Sequence, residues 1–283
     1  MRVISTESSQ ILAARLAGEL GCGIVDVRFS RFPDGELYLR AGPLDDRTVV
    51  VGSVTGNDDL VQLVLLLDAC QQSACTLVVP YMGYARQDKQ FHPGEPLSAR
   101  AIARVLSTVA EEVITVNIHE ESVLDHFTVP ARNFSLAENV GDYVKGLGFA
   151  APLILAPDEG AASFGGAVAQ SGCWESDHLQ KTRISGEEVT MKPKSLCAEG
   201  REVVIVDDII STGGTLATAA GMLRDQGAKS VHAVCVHGVL SAGAYTHLRA
   251  AGILDVACSD TIERGCSRYS AAKRIAAGIR AGC

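Results

Sequence analysis

No CxxC pair occurs anywhere in the chain, although it carries nine cysteines. An odd number of scattered thiols without framework or metal-site spacing excludes a disulfide scaffold and points to a reduced, cytoplasmic protein. No apolar run approaches the roughly 20 residues of a membrane span. The densest, Val61–Leu67, is too short. The first residues lack a basic segment followed by an apolar one, so no export signal is expected. Basic excess is missing too: the net charge is −8, which excludes the broad cationic surface that a nucleic-acid partner requires. A small anionic substrate stays compatible, because a local cluster of cations can outweigh the global balance.

What is present is apolar and periodic. With 283 residues, 47% of them hydrophobic, the chain can build the cores of two ordinary domains. Strands are expected over Met1–Ser5, Val25–Phe29, Leu37–Arg40, Thr48–Ser53, Leu77–Pro80 and Val113–Ile118. Helices are expected over Ser8–Leu20, Asp58–Gln72 and Leu97–Thr108, with a polar loop at Gly83–Pro96. Strands alternating with helices imply an α/β fold with parallel sheets. A weak internal repeat supports duplication. Thr48–Val51, a helix and Thr76–Val79 match Val203–Val206, a helix and Ser230–Val234, offset by about 155 residues. Two generic strand–helix–strand units matching by chance is the competing reading. The Gly-rich stretch Gly141–Pro152 marks the expected division, giving domains 1–145 and 146–283.

Val203-Val204-Ile205-Val206 reads as a strand buried on both faces. Asp207 and Asp208 follow at its carboxyl end, where open α/β sheets hold their ligands. Ser211, Thr212, Gly213, Gly214 and Thr215 then lead into a helix starting near Thr215 or Leu216. Small residues at a helix N-terminus leave N–H groups unpaired and present a partial positive charge, a cradle for phosphate. An ordinary turn with two solvated acids is the alternative. Adjacent carboxylates repel, a cost best tolerated where a cation or sugar hydroxyls bind them.

Other clusters read two ways. Phe32, Asp34 and Glu36 lie in a Pro/Gly turn that is either purely structural or a purine platform, with a carboxylate accepting from the amino group. Arg86, Gln87, Asp88 and Lys89 follow a strand, as a plain polar loop or as phosphate and base contacts. His119 closes a strand, as a structural histidine or a metal ligand. Asp158 ends the strand Leu153–Pro157, in the position that Asp207 takes on its own strand. One carboxylate, one imidazole and several waters suit Mg²⁺, which keeps much of its hydration. Lys181 and Arg183 sit in a polar, unperiodic stretch, as solvated charges or as cations that neutralise developing charge.

Val203–Thr215 resembles the 5-phosphoribosyl-1-pyrophosphate (PRPP) loop of the type I phosphoribosyltransferase fold. Along nearly its whole length the chain resembles the ribose-phosphate pyrophosphokinases. Arg31–Glu36, Gly83–Asp88, Asn117–His119, Ala156–Asp158, Lys181–Arg183 and Val206–Thr215 occur in that family's order. The resemblance implies two tandem phosphoribosyltransferase-like domains, the first without the phosphate loop, and the helix near 268–283 packing on the first. It implies transfer of the pyrophosphoryl group of ATP to the 1-hydroxyl of ribose 5-phosphate, giving PRPP and AMP. Phe32, Asp34 and Glu36 would hold adenine, reaching into a neighbouring subunit's site, and Arg86–Lys89 the nucleotide and its phosphates. His119 and Asp158 would hold Mg²⁺. Asp207 and Asp208 would take the ribose hydroxyls, Ser211–Thr215 the 5-phosphate, and Lys181 and Arg183 the transition state. Self-association near the active site is implied as well. The chain departs from the bacterial and animal forms in Ser211 and Asn117, where Asp is common, in a less basic Gln90–Glu95 loop and in its shorter length. These features resemble the archaeal branch. A PRPP-consuming phosphoribosyltransferase and a non-catalytic regulatory subunit are the alternatives. The repeat counts against the first, and the presence of His119, Lys181 and Arg183 against the second.

Overall fold

Strands of two to nine residues, mostly aliphatic and β-branched, build two six-stranded sheets. The computed structural model describes residues 1–179 and 197–281, and the backbone alone of 181–183 and 189–191. The chain divides into two compact units. One is Met1–Ser135 with Asp260–Glu263 and Ser270–Cys283; the other is Leu136–Ser259 with Arg264–Tyr269.

In the first unit the elements run β1 (Arg2–Ser5), α1 (Gln10–Leu20), β2 (Gly23–Ile24), β3 (Val27–Arg31), β4 (Leu37–Ala41), β5 (Arg47–Val51), α2 (Asn57–Ala69), β6 (Ala74–Val79), α3 (Ser98–Leu106), β7 (Glu112–Val116) and β8 (Ala131–Phe134). The sheet order is β2-β1-β5-β6-β7-β8, and every pairing in it is parallel. Parallel strands are covered by helices on both faces, and accordingly Val3, Ile4, Val50, Val51, Leu77, Val78 and Ile114 are fully buried. Each such side chain contributes about 1.5–3 kcal/mol by leaving water. The strand expected over Val25–Phe29 runs instead over Val27–Arg31, after a separate two-residue strand. Gly23–Ile24 pairs with β1, while β3 leaves the sheet and forms an antiparallel hairpin with β4.

The second unit runs α4 (Ala137–Gly146), β9 (Leu153–Ala156), α5 (Ala162–Gln170), β10 (Glu175–His178), β11 (Lys181–Arg183), β12 (Val189–Met191), β13 (Glu202–Ile210), α6 (Gly214–Asp225), β14 (Ser230–Gly238), α7 (Ala244–Ala250), β15 (Val256–Ser259) and β16 (Ser267–Tyr269). Its sheet, β10-β9-β13-β14-β15-β16, repeats the first unit's order strand for strand and is again parallel throughout. The repeat found in the sequence is thus β5–α2–β6 against β13–α6–β14. The Gly-rich stretch from Gly141 opens inside α4 rather than in a linker. A Cβ on Gly141 would lie 2.3 Å from Ser171 Cβ, so this glycine serves the close packing of α4 on the chain just after α5.

The last helix, α8 (Ala272–Ala281), belongs to the first unit, beside α1. Its Gly278 lies under the Phe134 ring, where a Cβ would meet Cε2 at 2.1 Å. Arg132 Nη1 donates to the Gly278 carbonyl at 3.1 Å. Among the described residues no helix is long and apolar enough to cross a membrane.

Candidate active site

The cradle in the second unit rests on β13. Val203–Val206 are fully buried between β9 and β14. The strand runs on to Ile210, four residues past its β-branched run, because β14 keeps supplying ladder partners: Asp207 pairs with Cys235, Ile209 with His237 and Ile210 with Gly238. The two acids therefore sit within the strand's last turns of pleat, not beyond it. Asp207 Oδ1 accepts from the Asp208 N–H at 2.9 Å, and Asp208 Oδ1 from the Ile209 N–H at 2.7 Å. Burial holds the Asp207 carboxyl well above its ordinary range, and the charges of Asp208 and then Asp158 add to the shift. Carboxylates that repel one another in this way fit a divalent cation or a row of sugar hydroxyls.

Beyond the acids the backbone turns at Gly213, φ +77°, and α6 begins at Gly214, slightly earlier than its apolar spacing implies. A Cβ at Gly213 would meet Leu248 of α7 at 2.9 Å, so only glycine satisfies both the left-handed turn and the contact. No side chain caps the first turn of α6, which leaves its N–H groups facing a concavity of about 200 Å³. That concavity is lined by Asp207, Ile209, Ile210 and Ser211–Leu216. Ser241, in the loop after β14, brings its hydroxyl to 3.2 Å from that of Ser211. Ser241 and Leu248 escaped the sequence reading. The small residues Ser241-Ala242-Gly243 shortly after a strand, between Leu240 and a helix, were the available signal. Asp158, after β9, accepts from the Ala161 N–H at 3.1 Å at the approach to α5.

The first unit shows what happens to the same position without acids. Gly52 and Ser53 stand where the second unit has Asp207 and Asp208. A Cβ on Gly52 would lie 2.5 Å from Leu63 Cδ2 and 2.7 Å from Thr6 Cγ2, so the pocket space is filled by the unit's own core. The Ser53 hydroxyl donates to the Thr261 carbonyl and accepts from the Tyr81 N–H at 3.1 Å. Asp58 and Asp59 occupy the first turn of α2, where they repel an anion.

The remaining predicted residues fall into separate groups. Phe32, Asp34 and Glu36 share the exposed tip of the β3–β4 hairpin, closed by Gly35 at φ +96°. Phe32 is half exposed and meets Tyr38 edge-on at 5.7 Å. Arg86 is exposed in the loop before α3 and has no partner among the described residues. Gln87 accepts from Ser98 Oγ at 2.6 Å, which engages its carbonyl oxygen and leaves the amide NH₂ for a ligand. Lys89 stands 3.7 Å from Asp88. His119 is exposed just past β7, in the first unit, whereas Asp158 is in the second. Lys181 and Arg183 form part of the short strand β11, antiparallel to β12, in place of the loop read from sequence. Their side chains lie outside the described residues. Among the described residues no group of three or more His, Cys, Asp or Glu is arranged to hold a metal ion.

The comparisons with known proteins agree along the whole chain. The family model for the N-terminal domain of ribose phosphate pyrophosphokinase matches residues 1–110, and that for the phosphoribosyl transferase domain matches residues 127–270. The ribose-phosphate pyrophosphokinase of Methanosarcina acetivorans is 47% identical, with 99% of each chain covered. That of Methanopyrus kandleri is 43% identical over 99% of this chain and 98% of its own. The crystal structure of phosphoribosylpyrophosphate synthetase from Mycobacterium smegmatis superposes with a TM-score of 0.84 at 27% identity, covering 99% of this chain and 98% of that one. The chain belongs to the ribose-phosphate pyrophosphokinase family.

Proposed function

We propose that the chain transfers the pyrophosphoryl group of ATP to the 1-hydroxyl of ribose 5-phosphate, releasing PRPP and AMP. The observation that carries this reading is the cradle: two strand-end acids followed directly by uncapped N–H groups at the start of α6. A ribose 5-phosphate offers vicinal hydroxyls to the first and a 5-phosphate to the second. Asp207 and Asp208 accept from the 2- and 3-hydroxyls, and Ser211–Thr215 donate to the 5-phosphate. Fixing the acceptor at both ends presents its 1-hydroxyl to the donor in one orientation, which converts binding energy into rate.

The nucleotide falls to the first unit. Phe32 stacks on adenine with Asp34 and Glu36 beside it, from the hairpin tip and toward a neighbouring copy's site. Arg86, Gln87, Asp88 and Lys89 take the phosphates and sugar. Arg86 is already exposed and unpaired among the described residues, as a phosphate ligand should be. Lys181 and Arg183 neutralise charge on the transferred group in the transition state. Mg²⁺ fits the donor chemistry of Asp158 and His119, and the repulsion between Asp158 and Asp207 favours a cation nearby. When bound it supplies charge neutralisation to the phosphates. The same reading places the enzyme in the cytoplasm as a self-associating protein.

A PRPP-consuming transferase would use a similar cradle. The match of full-length relatives that share the tandem arrangement favours the synthetase. Purified protein given ATP, Mg²⁺ and ribose 5-phosphate should yield AMP and PRPP in equal amounts. Release of ADP instead would show that a single phosphoryl group moves, and the proposed reaction would be wrong.

A further inference from the structure

Asp207 on β13 is the register partner of Cys235 on β14, and Cys235 that of Cys258 on β15. Partnered residues of neighbouring strands share a face of the sheet, so an acid of the cradle and two thiols stand in one row. The row ends at Cys266, just ahead of β16. Its carbonyl accepts from the Cys258 N–H at 3.1 Å, and its Sγ lies 3.6 Å from Cys258 Sγ. Backbones joined in this way fall within the Cα separation of about 4.4–6.8 Å that a disulfide spans. The two thiols differ. Cys258 is fully buried, whereas Cys266 is 5% exposed. The contact with Cys258, with help from the charges of Arg268 and Arg264, holds the Cys266 thiol below its ordinary range. That same contact and burial push the Cys258 thiol up. Thiolate is the reacting form, which makes Cys266 the attacking sulfur and Cys258 the resolving one. Cys70 and Cys75, also adjacent, are both fully buried, and the charge of Glu111 opposes a thiolate at Cys75.

We infer that Cys258 and Cys266 form a reversible oxidation site, which a hydroperoxide closes into an intrachain disulfide that weakens the hold on ribose 5-phosphate. The Cys266 thiolate attacks one oxygen of hydrogen peroxide. The O–O bond breaks, and the leaving hydroxide takes up the proton that Cys266 released. The Cys258 thiol then attacks the sulfenic sulfur on Cys266: the S–S bond forms, the S–O bond breaks, and water leaves. Two thiols give up two electrons in all, and the peroxide is reduced to two waters. A small dithiol reverses the step by exchange. The effect on the sugar rests on the proposed reading of the cradle. Cys258 Sγ packs on Gly238, where a Cβ would sit 2.7 Å from it. Gly238 is the ladder partner of Ile210, and the Leu240 N–H donates to the Ile210 carbonyl at 3.0 Å. Arg264, two residues before Cys266, donates to the Gly238 and Val239 carbonyls at 3.1 Å each. Drawing the sulfurs from 3.6 Å to the about 2.0 Å of a bond therefore pulls on the strand end that carries Ser241 to Ser211.

The test treats the full chain with hydrogen peroxide, alkylates the remaining thiols and digests with trypsin without reduction. Trypsin cuts after Arg249, Arg264 and Arg268, so mass spectrometry should find peptide 250–264 linked to peptide 265–268. Dithiothreitol should abolish the linked species. By titration calorimetry, oxidation should raise the Kd for ribose 5-phosphate by about tenfold, and reduction should restore it. Cys266→Ser, and Cys258→Ala as a second variant, should bind the sugar phosphate as the reduced wild type does and should not respond to peroxide. A linkage through Cys235 would overturn the pairing, as would Cys266 carried on to sulfinic acid with no linkage. A complete bridge that leaves the Kd unchanged would overturn the effect on the cradle. If the reduced chain fails to bind ribose 5-phosphate, the reading of the cradle falls, and the linked peptide alone upholds or overturns the oxidation site.

Discussion

Leu248 of α7 packs against Gly213 so closely that a Cβ on the glycine would sit 2.9 Å from Leu248 Cγ. The turn that leads into α6 is thereby braced by α7. Gly213→Ala adds left-handed strain at φ +77° to a clash with a buried side chain. It should cost about 2–3 kcal/mol of stability. It should also raise the KM for ribose 5-phosphate by at least about tenfold, because the loop must move to clear Leu248. Urea unfolding and steady-state kinetics measure the two effects. Trimming the brace, as in Gly213→Ala/Leu248→Ala, should recover part of the KM while leaving the protein less stable still.

Asp207 illustrates stability given up for binding. Its carboxyl is raised by burial first, then by Asp208 and Asp158, so the folded protein holds this proton more tightly than the unfolded chain does. Between the ordinary aspartate pKa and the raised one the native state binds more protons. Stability therefore falls as pH rises through that window. Asp207→Asn removes the buried charge, keeps an acceptor for the Asp208 N–H, and should raise the melting temperature of the unliganded protein. The same change should lower the affinity for ribose 5-phosphate. In the wild type that affinity should increase as pH rises through the raised Asp207 pKa, since a protonated carboxyl accepts poorly from a sugar hydroxyl. In Asp207→Asn the dependence should flatten. Calorimetric scans and titrations from pH 5 to 9 decide it.

Local patterns made most of the fold legible. Val203–Val206, the acids and the small residues after them announce a buried strand, its carboxyl end and a helix start within thirteen residues, because each signal is set by neighbours in sequence. The duplicated β5–α2–β6 and β13–α6–β14 units were visible for the same reason. What depended on distant partners was not. β13 extends to Ile210 because β14 runs alongside it. β3 turns away from the sheet to meet β4. Arg28 and Arg40, twelve residues apart in sequence, become neighbours only through that hairpin. The return of Asp260–Glu263 to the first unit is set by contacts with α1 and leaves no periodic trace, whereas the place of the last helix in that unit was expected from the family resemblance alone.

One of those returning contacts is a stability prediction in itself. The Asp260 side chain is 1% exposed and accepts from Arg15 Nη1 at 2.7 Å and from the Ala271 N–H, ahead of α8, at 2.8 Å. Nearby, Glu263 Oε1 accepts from the Ile11 and Leu12 N–H groups at 2.7 and 2.9 Å, capping α1. Asp260→Ala leaves a buried N–H without its acceptor and Arg15 without its counter-ion. The expected loss is about 3 kcal/mol, in the range for breaking a buried pair. Arg15 is half exposed, so Arg15→Gln should cost under about 1 kcal/mol. Equal losses from the two variants would show that the ion pair, rather than the cap on the approach to α8, holds this segment.

Lys181 stands on the other side of the distinction between binding and rate. Neither the cradle nor the hairpin tip needs it to hold a ground-state substrate, and a pyrophosphoryl transfer concentrates charge only as the bond to the leaving AMP weakens. On the proposed reading, Lys181→Ala should therefore lower kcat by about 10²- to 10³-fold, the cost of losing one charge-stabilising donor. The KM values for ATP and ribose 5-phosphate should change by less than about threefold, since an interaction made only in the transition state leaves ground-state binding alone. Lys181→Arg keeps the charge but not the ammonium's compact geometry, and should recover part of the rate. Unchanged turnover in Lys181→Ala would remove the residue from the chemistry. A rise in KM at constant kcat would make it a binding residue.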